Sequence, residues 1–68
     1  MTEETKARVL KAFEEYYPLD LSIVEVSRRA KMSEATAATY VRILEAEKRI
    51  EFNRNVGRAK LFRLKRQT

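Results

Sequence analysis

The chain has 68 residues, with no cysteine and no histidine, and is 44% hydrophobic and 37% charged. That length holds one small domain with a thin stability margin, and the missing residue types exclude disulfides and the commonest transition-metal ligands. The net charge of +5 is unevenly spread: residues 1–47 carry seven Lys/Arg against nine Asp/Glu, and residues 48–68 carry eight against one.

Thr2 is suited to cap a first helix, with Glu3 and Glu4 in the turn where the helix dipole favours acids. Val9, Leu10, Phe13 and Tyr17 then recur as one apolar stripe, and Pro18 ends it because the residue before a proline avoids helical angles. A helix over about 3–17 is expected, with Tyr17 in the core. Leu19-Asp20-Leu21 reads as a short extended connection. Ser22-Ile23-Val24-Glu25 is a capping box that opens a second helix over about 23–31. Its inner face is Ile23, Val26, Ser27 and Ala30, and its outer face carries Arg28, Arg29 and Lys31.

After the break at Lys31-Met32-Ser33, Ser33 caps a third helix that begins at Glu34 and runs to about 48. Ala37, Val41 and Leu44 form its core stripe, flanked by Tyr40 and Ile43. The opposite face offers Glu34, Ala35, Ala38, Thr39 and Arg42, with Thr36 near the backbone. These side chains are short or polar, and no core requires them there.

From Ile50 the period changes from 3.6 to 2, in Ile50-Glu51-Phe52-Asn53 and again in Lys60-Leu61-Phe62-Arg63-Leu64. Between them Asn55-Val56-Gly57-Arg58 contains the only glycine. Ile50 and Phe52 share a face with Phe62 and Leu64 only if the loop has an odd number of residues, so a three-residue loop Asn55-Val56-Gly57 is expected. Leu61 then points to the other face, beside Ala59 and Arg63. The hairpin covers about 50–64, and Lys65-Arg66-Gln67-Thr68 reads as a frayed tail.

A steep cationic gradient in a short folded domain marks a polyanion-binding face, against the plainer reading of a solvated basic surface. No stretch approaches the about 18 apolar residues that cross a bilayer, and Met1-Thr2-Glu3-Glu4 is acidic where a signal peptide is basic, so a cytoplasmic protein is expected. Catalysis lacks parts. Without His or Cys it would rest on Glu14-Glu15 and Glu45 with Glu47, on solvated helix faces, and no glycine-rich loop can cradle a phosphate. Neither enzyme activity, a cofactor nor a metal is expected.

The run Leu21-Ser22-Ile23-Val24-Glu25-Val26-Ser27-Arg28-Arg29-Ala30-Lys31-Met32-Ser33-Glu34-Ala35-Thr36 resembles the helix-turn-helix of winged-helix transcriptional regulators. Val26 and Ala30 match its core positions, Ser27 the helix crossing and Ser33 the cap of the recognition helix. Thr36-Ala37-Ala38-Thr39-Tyr40-Val41-Arg42-Ile43-Leu44-Glu45 is similar to the body of that helix. Gly57-Arg58-Ala59-Lys60-Leu61-Phe62-Arg63-Leu64 resembles the Gly-Arg wing of small regulators from archaea and their plasmids or viruses. The resemblance covers about residues 4–65 and departs twice: Lys31 stands where the turn often has Gly, and Lys48-Arg49-Ile50 replaces Gly-Leu-Ile.

The resemblance implies an α+β winged helix-turn-helix that binds double-stranded DNA, with the third helix in the major groove. Arg42 is then a candidate for guanine, Thr39 for a thymine methyl or a phosphate, and Ala35 and Ala38 for close approach. Arg28, Arg29 and Lys31 cross the backbone, and Arg54, Arg58 and Lys60 flank the wing tip, with Arg58 placed for the minor groove. A homodimer is expected, through Tyr16 or Leu61, because one such module covers few base pairs. The alternatives are sequence-neutral DNA binding, or a winged helix used for protein or RNA contact.

Overall fold

The computed structural model describes residues 2–65, with side chains from Glu4 to Lys65. The 66–68 part of the expected tail lies outside the described residues, as do the side chains of Thr2 and Glu3. The elements are α1 (Thr2–Tyr16), β1 (Leu21–Ser22), α2 (Ile23–Ala30), α3 (Glu34–Ala46), β2 (Ile50–Val56) and β3 (Ala59–Leu64). The three strands form one antiparallel sheet in the order β1-β3-β2, so the short strand between the first two helices adds onto the hairpin. This is an α+β, winged-helix-like layout.

The buried stripe of α1 is Val9, Ala12 and Phe13, with Tyr16 half-buried behind them. Steps of three and four residues keep to one helix face. The expected run Val9, Phe13, Tyr17 takes two steps of four, which overshoot a 3.6-residue turn and leave that face. Tyr17 is accordingly 40% exposed, beyond a helix that ends at Tyr16, and is not a core residue.

α2 has only eight residues, too few to hold together alone, and it is tied at both ends. The expected capping box is present: Ser22 Oγ accepts from the Glu25 N–H at 3.2 Å, and the Ser22 N–H donates to Glu25 Oε1 at 3.0 Å. At the other end Lys31 turns left-handed (φ 59°, ψ 58°), and the N–H groups of Lys31 and Met32 both donate to the Ser27 carbonyl. The helix therefore stops at Ala30, one residue before the expected end. The Arg8 guanidinium reaches over from α1 and donates to the carbonyls of Ala30 and Lys31.

α3 ends in the same way, at Ala46 rather than about 48. Lys48 is left-handed (φ 63°), its N–H donates to Glu45, and the Arg49 N–H donates to Leu44, both at 2.9 Å. Lys31 and Lys48 thus stand in the two places where the resembled pattern has glycine. A left-handed residue other than glycine costs about 1–2 kcal/mol, and here the closing hydrogen bonds offset it.

The hairpin meets the parity requirement differently from the sequence expectation. Val56 pairs with Ala59, so the loop is the two residues Gly57-Arg58. Gly57 has φ +60° and Arg58 does not have positive φ, the sign pattern of a type II′ turn. The odd residue is Asn53, a bulge between the Phe52–Phe62 and Arg54–Leu61 pairs. Ile50 and Phe52 still share a face with Leu64 and Phe62, and the Phe52 and Phe62 rings meet edge to face at 5.9 Å. Leu61 was expected to be exposed and is buried instead, because β1 pairs along β3 and sets Ser22 beside it.

Candidate nucleic-acid interface

The start of α3 is set by Ser33, whose Oγ accepts from the Thr36 N–H at 3.1 Å and donates to Thr36 Oγ1 at 2.9 Å. With Ala37, Val41 and Leu44 buried, the opposite face is turned outward. Glu34, Ala35, Thr39 and Arg42 are exposed, and Thr36 and Ala38 are half-buried. The Thr39 hydroxyl donates to the Ala35 carbonyl at 3.1 Å, which leaves it acceptor capacity for a ligand. Among the described residues Arg42 has no hydrogen-bond or ion-pair partner.

Glu34 lies in a notch of about 290 Å³ with Ser22, Ile23, Val24 and the hairpin residues Arg58, Ala59 and Lys60. The tight turn at Gly57 places both cations there. Arg58 and Lys60 are exposed and, among the described residues, unpaired. The structure therefore joins the expected wing-tip cations to the start of α3.

Arg54 is different. Its Nε donates to Asp20 Oδ2 at 2.9 Å, and Asn53 Nδ2 donates to the same oxygen at 2.7 Å. These two hydrogen bonds, the one from Asn53 first, hold the Asp20 carboxyl below its ordinary range. The Arg54 side chain stays 62% exposed, whereas that of Asp20 is 13% exposed. Arg63 is likewise committed, to Glu51 across the hairpin at 3.0 Å.

Arg28 on α2 and Lys31 just after it are exposed, and their side chains have no partner among the described residues. Arg29 instead lies 3.8 Å above the centre of the Tyr16 ring. Arg29 therefore packs toward α1, and the ring of Tyr16 is partly covered by it. Lys11 of α1 lines a shallow notch with Arg8, Arg29 and Lys31, and Glu15 borders it.

No family model matches the chain, and no curated protein or solved structure does. The geometry of the site divides the charge gradient seen in the sequence. Of the cations after residue 47, Arg58 and Lys60 stand at the hairpin turn, and Arg54 and Arg63 are ion-paired. Arg49 and Lys65 border a separate groove with Leu10, Glu14, Tyr17, Glu47 and Leu64. There Glu47 is engaged by Lys6 and, at 3.6 Å, by Arg49. No helix of the described residues is long and apolar enough to cross a membrane.

Proposed function

We propose that the protein binds double-stranded DNA as a transcriptional regulator, with α3 in the major groove and the hairpin on the backbone or in the minor groove. One observation carries this reading: the short-side-chain face of α3 begins at Glu34, in the same notch as the unpaired Arg58 and Lys60. A major groove about 12 Å wide admits a helix, and Ala35 and Ala38 let this one approach closely. Arg42 stands on the outward face as the donor for a guanine edge, and Thr39 offers its methyl group to thymine or its oxygen to a donor. Arg28, Lys31, Arg58 and Lys60 take phosphates. Ser33 and Thr36 are occupied with the helix cap, so their part is to fix where α3 starts.

Ala35 and Ala38 also favour a second reading, binding without sequence preference, since neither can hydrogen-bond to a base. Substitution separates the two. Arg42→Ala is expected to cost about 1–3 kcal/mol on the preferred duplex and to relax preference at one position, whereas Arg58→Ala weakens all duplexes evenly. Titrations against a panel of duplexes check this. Equal losses on every sequence for both variants would mean that α3 does not read bases.

We further propose that two copies act together on a repeated site, because one helix and one wing cover few base pairs. The seat of that contact is not Leu61, which is buried, and Tyr16 offers only the part of its ring that Arg29 leaves open.

A further inference from the structure

We propose that Asp20 is a positioning residue for DNA binding: it holds the Arg54 guanidinium by its Nε edge so that the terminal nitrogens face a phosphate beside the hairpin. The proposal rests on the DNA-binding reading and adds to it a residue, Asp20, that makes no DNA contact itself.

The pleat and the bulge bring the two residues together. In a ladder without the bulge, Asn53 would oppose Leu61 and Arg54 would oppose Lys60. With it, Ser22, Leu61 and Arg54 form one row across the sheet. Asp20 directly precedes β1, on the far side of the middle strand, so the Arg54 arm spans β3 to reach it. Asp20 accepts from both the bulge residue and Arg54 on a single oxygen, at 2.7 and 2.9 Å. The carboxylate is thereby fixed, and it in turn fixes the guanidinium.

Only Nε of Arg54 is used, and the side chain is 62% exposed although its partner is nearly covered. A guanidinium presents a planar fork of donors, and binding by one edge leaves the other free for a phosphate. An arginine already held in one orientation loses less freedom on binding than an unrestrained one. Arg58 and Lys60, at the turn, have no such holder among the described residues.

Two measurements test this. In the free protein, ¹⁵N relaxation of the arginine Nε groups should show Arg54 ordered and Arg58 mobile, with the Arg54 order lost in Asp20→Asn. Equal mobility of the two in the wild type would overturn the proposal, whether or not the protein binds DNA. The second is a double-mutant cycle with duplex DNA across a salt series. Arg54→Gln should lower affinity about tenfold and flatten the log–log salt slope by about one in the wild type. In the Asp20→Asn background the same change should cost about threefold or less. An Arg54 worth as much or more once Asp20 is gone would show that Asp20 is a bystander or sequesters the arginine. A wild type that binds no duplex fails the DNA reading, and the relaxation result then judges the positioning role by itself.

Discussion

Affinity for duplex DNA is expected to fall about 500-fold between 50 and 200 mM salt. Arg28, Lys31, Arg58 and Lys60 are the proposed phosphate contacts whose side chains have no partner among the described residues, and Arg54 adds the free edge of its guanidinium as a fifth. Each one that neutralises a phosphate releases condensed counterions, so these five give a log–log slope of about −4 to −5. Lys48, Arg49 and Lys65 do not contribute, because Arg49 and Lys65 line the separate groove with Glu47 and Leu64, and Lys48 closes the end of α3. Titrations at four or more salt concentrations measure the slope. A slope near zero, or no binding at low salt, would sink the DNA reading. A slope of about −7 or steeper would show that those cations also touch DNA, and that the charge is not divided between two faces.

Phe13→Ala is expected to remove about a third or more of the folding stability. Phe13 is fully buried and lies in the α1 stripe between Val9 and Tyr16. Truncating such a ring costs about 3–5 kcal/mol, against about 3–10 kcal/mol for the whole stability of a domain this size. With no disulfide to retain the fold, nothing offsets the loss. Tyr17→Ala is the control: at an exposed position after the helix it should cost no more than about 0.5 kcal/mol. Thermal melts followed by circular dichroism compare the two. A Tyr17→Ala loss as large as that of Phe13→Ala would contradict the placement of Tyr17 outside the core.

Much of this fold is legible in the sequence, and the misses have local causes. The capping box at Ser22, the cap at Ser33 and the Ala37-Val41-Leu44 stripe were readable because each is set by neighbours within four residues. The parity of the hairpin was readable too, but not how it is met. A three-residue loop and a two-residue loop with a bulge satisfy the same alternation, and Asn53 differs from its neighbours only once Asp20 is beside it. Leu61 was misplaced because its burial depends on β1, a strand of two residues with no period of its own to detect. Arg8 carried no local signal, since the carbonyls it caps are more than twenty positions away in sequence.

The candidate site shows the same division. The outward face of α3 follows from helical period, apart from the half-burial of Thr36 and Ala38 and the exposure of Ile43, which the period sets beside the core stripe. The cationic gradient was visible as a count, whereas its meaning depended on which charges find partners. Arg54 and Arg63 are paired, Arg29 lies over Tyr16, and the pairing acids Asp20 and Glu51 are distant in sequence or across a strand. Long-range pairing of this kind has no period and leaves no trace in composition.

The most direct test of DNA binding through α3 and the hairpin is a backbone amide NMR titration of the full chain with a duplex of about one helical turn, at low salt. The account predicts shift changes at Glu34, Ala35, Ala38, Thr39 and Arg42, at Gly57 through Lys60, and at Arg28 and Lys31. The groove residues Leu10, Glu14, Tyr17 and Leu64 should stay unmoved. Changes confined to that groove, or none in α3 at saturating duplex, would contradict it.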